Sequence, residues 1–273
     1  MREILHDTSE AALADAVEAS LCKAFASFGR WPQTEVHDGA EALRCITGLP
    51  HPLFNGVFRP RLAADNPGAQ IEAALAPFKA RGVPLYWWVG PGAQPADLGR
   101  HLEAYGLPYD GDVPGMAVDL AAVRVERPAP AGLAIERVDS AEALAEFAGV
   151  AAIGFRLSDA VRDGLREALA SLGLGDNAPS RHYLGRLDGA PVAITSLMPA
   201  AGVAGIYNVA TVPEARGRGV ATALVAAALA EGQAMGYRIG VLQSSEMGMS
   251  VYSRLGFWQV CTFHHYVWPA PVA

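Results

Sequence analysis

Cysteine is scarce in this chain: three among 273 residues, at Cys22, Cys45 and Cys261. An odd number with no zinc-ligand spacing excludes a disulfide framework and gives no metal motif. Each cysteine is therefore expected to pack, and no metal is expected. Lysine- and arginine-rich stripes are lacking too, and the formal net charge is −7. Nucleic acid is not the expected partner of such a surface. No apolar run reaches the roughly 20 residues a membrane helix needs; the longest, Val220–Ala230, is short and alanine-rich. The segment Met1–Ala16 is acidic and has no apolar h-region, so no signal peptide is expected. These absences leave a cytoplasmic protein without a membrane partner as the expectation. What the chain has in quantity is apolar residues, 51% against 18% charged. That suffices to bury a core, and the length suits one large or two ordinary domains.

Two common phosphate motifs are missing as well. No Gly-x4-Gly-Lys-Ser/Thr string occurs, and Gly217-Arg218-Gly219 is followed by Val220, Ala221 and Thr222, so a dinucleotide fingerprint lacks its third glycine. The segment is informative nonetheless. A β-type run, Val209-Ala210-Thr211-Val212, meets Pro213, then Glu214-Ala215-Arg216-Gly217-Arg218-Gly219, then an alanine-rich helical stretch. Strand, glycine loop and helix start make an anion cradle. The first N–H groups of a helix have no intrahelical acceptor, and the helix dipole favours negative charge beside them. Read alone, the string also fits a basic helix N-terminus with glycines for a turn.

The spacing Arg/Gln-x-x-Gly-x-Gly/Ala is met by Arg216, Gly219 and Ala221. It resembles the acyl-CoA loop of the GNAT N-acetyltransferase superfamily. Downstream, Ser250-Val251-Tyr252-Ser253-Arg254-Leu255-Gly256-Phe257 resembles the second half of that family's signature, a tyrosine helix ending in Leu-Gly-Phe. Arg238–Gln243 between them is strand-like and follows a helix stop at Gly236. The resemblance covers Gly132 to Trp268. Gly132–Val138 reads as its first strand, with Asp139-Ser140 capping a helix from Ala141. Ser180–Leu187 and Pro191–Met198 flank the turn signal Asp188-Gly189, and Ile206–Val212 feeds the loop. The chain departs from the family at Ser245, where Asn is common, and at Gly248, where Ala is common.

Glu126–Gly132 clusters proline and glycine and marks the expected boundary between domains 1–127 and 128–273. The first segment echoes the second. Arg44–Ile46 and Gly56–Phe58 read as strands, Ala69–Ala80 as a helix, Leu85–Val89 as an aromatic strand and Asp97–Tyr105 as a helix before Gly106-Leu107. Where a phosphate loop would fall stands Ala63-Ala64-Asp65-Asn66-Pro67-Gly68-Ala69. Asp65 would repel a pyrophosphate, so this half is expected to bind no CoA. The expected fold is thus α/β (α+β), a GNAT fold with a mixed central sheet, a splayed strand pair and flanking helices, arranged as a tandem of two GNAT-like halves. A generic α/β domain is the other reading of the first half. Of Trp87 and Trp88, adjacent on a strand, one is expected in the core and the other in inter-domain packing or a substrate groove.

The resemblance implies acetyl-CoA as acyl donor, a primary amine of a small molecule or peptide as acceptor, and direct attack on the thioester. The amides of Arg216, Gly217, Arg218, Gly219, Val220 and Ala221 would grip the pyrophosphate, with Thr222 adding a hydroxyl. The strand edge Val209, Ala210, Thr211 and Val212 would pair with pantetheine, and an N–H of Val209 or Ala210 would polarise the carbonyl. Ser245 falls in the expected cofactor wall. Tyr252 is the candidate general acid, since a phenol can protonate a departing thiolate. The strand before the loop offers Tyr207 and Asn208 and no carboxylate. Asn208 is expected to orient a water relay; Glu246, His264 and His265 are the side-chain alternatives for a base. A silent acyl-CoA sensor and an acyltransferase with another donor or acceptor are the competing functions. Gly154–Pro179, read as an acceptor loop, carries no recognisable substrate code, and oligomeric state leaves no mark.

Overall fold

The computed structural model describes residues 4–126 and 128–269. Arg127, at the expected domain boundary, and the termini 1–3 and 270–273 lie outside the described residues. In chain order the elements are α1 (Glu10–Ser27), β1 (Glu35–Asp38), β2 (Leu43–Ile46), β3 (Asn55–Phe58), α2 (Pro67–Arg81), β4 (Leu85–Val89), α3 (Leu98–Ala104) and β5 (Tyr109–Asp119). Then follow β6 (Leu133–Arg137), α4 (Ala141–Phe155), α5 (Asp159–Leu172), β7 (Arg181–Leu187), β8 (Ala190–Ala200) and β9 (Val203–Thr211). The last are α6 (Val220–Ala234), β10 (Ile239–Gln243), α7 (Glu246–Leu255) and β11 (Trp258–Trp268). Among the described residues no helix is long and apolar enough to cross a membrane.

The chain forms two compact units, each discontinuous in sequence. One comprises residues 1–20 and 115–260, the other 21–114 and 261–273. In the first, the strand order is β5-β10-β9-β8-β7-β6. Gly115–Asp119 of β5 pair antiparallel with β10. In the second, the order is β1-β2-β3-β4-β11, and His264–Trp268 of β11 pair antiparallel with β4. The closing strand of each unit is therefore supplied by the other half of the sequence. A linear reading of repeats along the chain cannot register that exchange.

Local chemistry accounts for the elements that position the site. Ser140 caps α4 by accepting the Ala143 N–H at 3.1 Å, and Ser158 caps α5 through Val161 N–H at 3.4 Å. Buried Val161, Leu165, Ala168, Leu169 and Leu172 line one face of α5 at helical spacing. So Gly154–Pro179 is largely helix, where a loop was expected; the helical spacing of those buried residues is the signal that identifies it. Asp188 and Gly189 both take positive φ, 52° and 86°, the twist a two-residue hairpin requires.

Helix α6 packs against the sheet of the first unit through glycines. A Cβ on Gly185 would stand 2.6 Å from Leu224, and one on Gly240 2.9 Å from Leu229. The core there joins Leu197, Ala204, Ile206, Val225, Leu229, Leu242, Tyr252 and Phe257. In the second unit Ile71, Leu75 and Phe78 of α2 pack on Leu85, Trp87, Leu98 and Leu102. There β3 and β4 run parallel around α2, as β9 and β10 do around α6. Trp87 and Trp88 are both buried. Within that unit, Trp88 meets Phe58, Phe263 and His265 ring to ring.

Candidate active site

The site lies in the first unit, where β9 and β10 part. They pair in parallel at Ala204–Gly240 and Gly205–Val241. Beyond that ladder β9 continues to Thr211 and β10 to Gln243. On its other side β9 stays paired with β8, but the register shifts between Ile194 and Ser196. Ser196 faces Tyr207 and Ile194 faces Ala210, so Asn208 and Val209 together stand opposite Thr195. This is a β-bulge. Asn208 takes φ 53°, a left-handed conformation that asparagine tolerates better than most residues. Asn208 is half-buried.

The glycine loop leaves β9 through Pro213–Ala215, a single 3-10 turn. Gly217 and Gly219 have φ 73° and 85°, and a Cβ on either would meet nothing within 4 Å. Backbone conformation, not crowding, demands glycine there, and the open space is what an approaching phosphate group needs. The α6 ladder begins with Ala223 N–H to Gly219 O at 3.1 Å. The N–H groups of Val220, Ala221 and Thr222 precede it and point out of the helix start. Arg216 Nε donates to Thr211 O at 3.0 Å, so this side chain braces the loop as well as bringing charge. Arg216 and Arg218 are exposed. These features fit a diphosphate-bearing cofactor: open backbone donors, a helix dipole and two cations.

Tyr252 lies on α7 and is 7% exposed, its ring 5.9 Å from Phe257. Burial pushes its hydroxyl pKa up to about 12. The phenol therefore holds its proton across the neutral range, though it is a weaker acid than a free phenol. Gly248 makes room for it: a Cβ there would lie 2.7 Å from the Tyr252 ring. Ser245 accepts the Gly248 N–H at 3.2 Å and caps α7, a sufficient structural reason for serine at that place.

The alternative bases are dispersed. Glu246 is exposed in the first turn of α7. His264 hydrogen-bonds Asp112 at 2.6 Å in the second unit. His265 in the same unit is buried between Tyr86 and Trp88, and burial lowers its pKa to about 4.

Three functional candidates escaped the sequence reading: Ser180, His182 and Ser196. They form a buried polar run behind Asn208. Among the described residues no cluster of His, Cys, Asp and Glu could hold a metal ion.

Residues 194–261, from β8 into β11, match the acetyltransferase (GNAT) domain family. No curated protein matches the chain. Among solved structures, a GCN5-related N-acetyltransferase from Kribbella flavida is similar at TM-score 0.67 and 21% identity, over 93% of this chain and 96% of that one. Another from Sphaerobacter thermophilus gives 0.61 and 16%, over 95% and 93%. A tandem GNAT protein from the clavulanic acid biosynthesis pathway gives 0.56 and 15%, over 100% and 98%. Residues 194–261 thus carry the signature of the GNAT acetyltransferase domain, and the chain has the fold of the GCN5-related N-acetyltransferases, tandem members included.

Proposed function

We propose that this protein is an acetyl-CoA-dependent N-acetyltransferase acting on a primary amine of a small molecule or peptide, in the cytoplasm. The observation that carries the reading is the open start of α6, two positive-φ glycines before it and the parting of β9 from β10 beside it. Segments 1–127 and 128–273 are proposed as the two GNAT-like repeats, the second holding the cofactor. Acetyl-CoA, when bound, supplies an activated acyl group and a thiolate leaving group.

The chain's own residues divide the remaining work. N–H groups of Gly217 to Ala221 bind the pyrophosphate with the Thr222 hydroxyl beside them. The Arg216 N–H is given to Pro213 O at 3.3 Å, so Arg216, like Arg218, strengthens the capture through its charge. The open edge of β9 at Val209 and Thr211 aligns the pantetheine arm, and the Val209 N–H holds the carbonyl oxygen as negative charge grows on it. Val212 donates to Val192 O of β8 at 2.9 Å, and Ala210, opposite Ile194 in the same register, faces β8 too. Tyr252 keeps a proton available to the departing sulfur. With no carboxylate on β9, the amine proton leaves by water held near Asn208. That missing carboxylate is also what favours the second reading, a silent acyl-CoA-binding sensor.

Calorimetric titration of acetyl-CoA into wild type and a Gly219→Glu variant tests the cofactor site. The added carboxylate faces the pyrophosphate and the side chain is strained at φ 85°. Affinity is expected to fall by about tenfold or more, 1.4 kcal/mol or greater. Equal binding by both proteins would remove the loop from the cofactor site. CoA release over a panel of primary amines then separates enzyme from sensor.

A further inference from the structure

Four polar side chains on and beside β7, β8 and β9 join end to end. Asn208 Nδ2 donates to Ser196 Oγ at 3.0 Å. Ser196 Oγ lies 2.7 Å from His182 Nδ1, and His182 Nε2 lies 3.1 Å from Ser180 Oγ. Ser180, His182 and Ser196 are each at most 3% exposed, and none of the four is charged. Phe147 of α4 closes over the His182 ring at 5.1 Å.

The direction of these bonds follows from what each atom can do. An amide nitrogen only donates, so Ser196 Oγ accepts from Asn208; we assign the Ser196 hydrogen to His182 Nδ1, the tautomer that lets the run continue to Ser180. His182 then carries its proton on Nε2 and donates to Ser180. Burial keeps the ring neutral, its pKa lowered to about 4. A buried polar run of this kind is costly unless every member is satisfied. Packing alone would be served as well by apolar residues, and the cofactor cradle at Gly217–Thr222 does not touch it. At its β9 end the run holds the amide at the bulge.

We propose that His182, acting through Ser196, is a positioning residue that turns the Asn208 amide nitrogen inward and leaves Oδ1 as the atom offered to an N–H of the acceptor amine. This rests on the N-acetyltransferase reading. Held by Oδ1, the amine keeps its lone pair aimed at the acyl carbon. As the N–C bond forms and the C–S bond breaks, one amine hydrogen passes to water and the sulfur gains one. Asn208 orients the amine and takes no proton.

Three variants test it. Ser196→Ala cuts the run with the least loss of volume. His182→Leu removes the ring acceptor. His182→Asn restores an acceptor on the atom bonded to Cγ, where Nδ1 stood. Circular dichroism checks folding, calorimetry checks acetyl-CoA binding, and CoA release is followed over a panel of polyamines, aminoglycosides, amino acids and peptides.

Ser196→Ala and His182→Leu are expected to lower kcat/KM for the amine by about 10- to 100-fold with acetyl-CoA affinity unchanged, and His182→Asn to regain most of it. Nitrogen NMR of wild type should show His182 protonated on Nε2 alone at pH 7. Wild-type kcat/KM in a folded Ser196→Ala variant would overturn the inference. So would acetyl-CoA affinity lost in step with activity, or a His182 proton on Nδ1. Acetyl-CoA binding without turnover of any panel amine would overturn it while leaving the cofactor site standing. No acetyl-CoA binding by wild type would overturn the N-acetyltransferase reading itself.

Discussion

A single missing methyl group sets the place of Tyr252. The ring lies against Gly248, where a Cβ would come within 2.7 Å of Cε2 and 3.2 Å of Ser244 Oγ. Glycine at this residue is what the present placement of the ring requires. Gly248→Ala sets two effects against each other. Alanine favours the helix by about 1 kcal/mol over glycine, while overpacking a buried ring costs about 1–3 kcal/mol. Tyr252 is buried, so the second effect is expected to win: a net stability loss of up to about 2 kcal/mol by urea titration, with a larger proportional fall in kcat. A variant as stable and as active as wild type would show that the ring has room to move. Tyr252 was legible in the sequence because its helix ends in Leu-Gly-Phe. Its burial, and the raised pKa that follows, were not, because they depend on α6 and on the sheet strands that complete the core around it.

At the scale of elements, most of the fold could be read from local signals. The Asp188-Gly189 turn, the Ser140 cap and the loop glycines Gly217 and Gly219 all act within a few residues. Two bulges account for much of what could not. Leu187 pairs with Ala190, and continuing that register would set His182 opposite Thr195. A shift between Gly185 and Arg186 sets it opposite Ser196 instead. The second bulge turns Asn208 back to the same serine. One extra residue in a strand leaves no composition signal, so the polar run behind Asn208 was invisible. Helix α4 supports this corner closely: a Cβ on Gly154 would lie 2.5 Å from the Ala210 Cβ. Both atoms are tied to backbone and neither can swing away. Gly154→Ala is therefore expected to cost about 1–3 kcal/mol and to displace α4 from β9 beside the candidate carbonyl-polarising N–H. Raised KM for the amine with little change in acetyl-CoA affinity is the expected kinetic sign. Unchanged melting temperature and KM would show the two elements free to separate.

For the whole molecule, each unit encloses one neutral histidine, and this makes stability depend on pH in a defined window. His182 in one unit and His265 in the other both have pKa values lowered to about 4 by burial. An unfolded histidine titrates near 6.5. Between those limits the unfolded chain takes up protons that the buried rings refuse, so it is favoured as pH falls. The stabilisation is complete above pH 6.5 and is lost progressively toward pH 4. Each ring accounts for on the order of 3 kcal/mol over that window. The carboxylates with lowered values, among them Asp112, Asp163 and Asp176, lose their contribution only at lower pH. The two units can be followed separately. Trp31, Trp87, Trp88 and Trp268 belong to the second and Trp258 to the first, so fluorescence reports mainly the second while circular dichroism reports both. Urea titrations from pH 7 to pH 4.5 should show His265→Asn flattening the fluorescence-detected slope. His182→Asn should flatten only the remaining dichroism-detected change. If both probes shift together in either variant, the units unfold as one. If neither slope changes, the two rings take up protons in the folded state, and their burial does not hold them neutral.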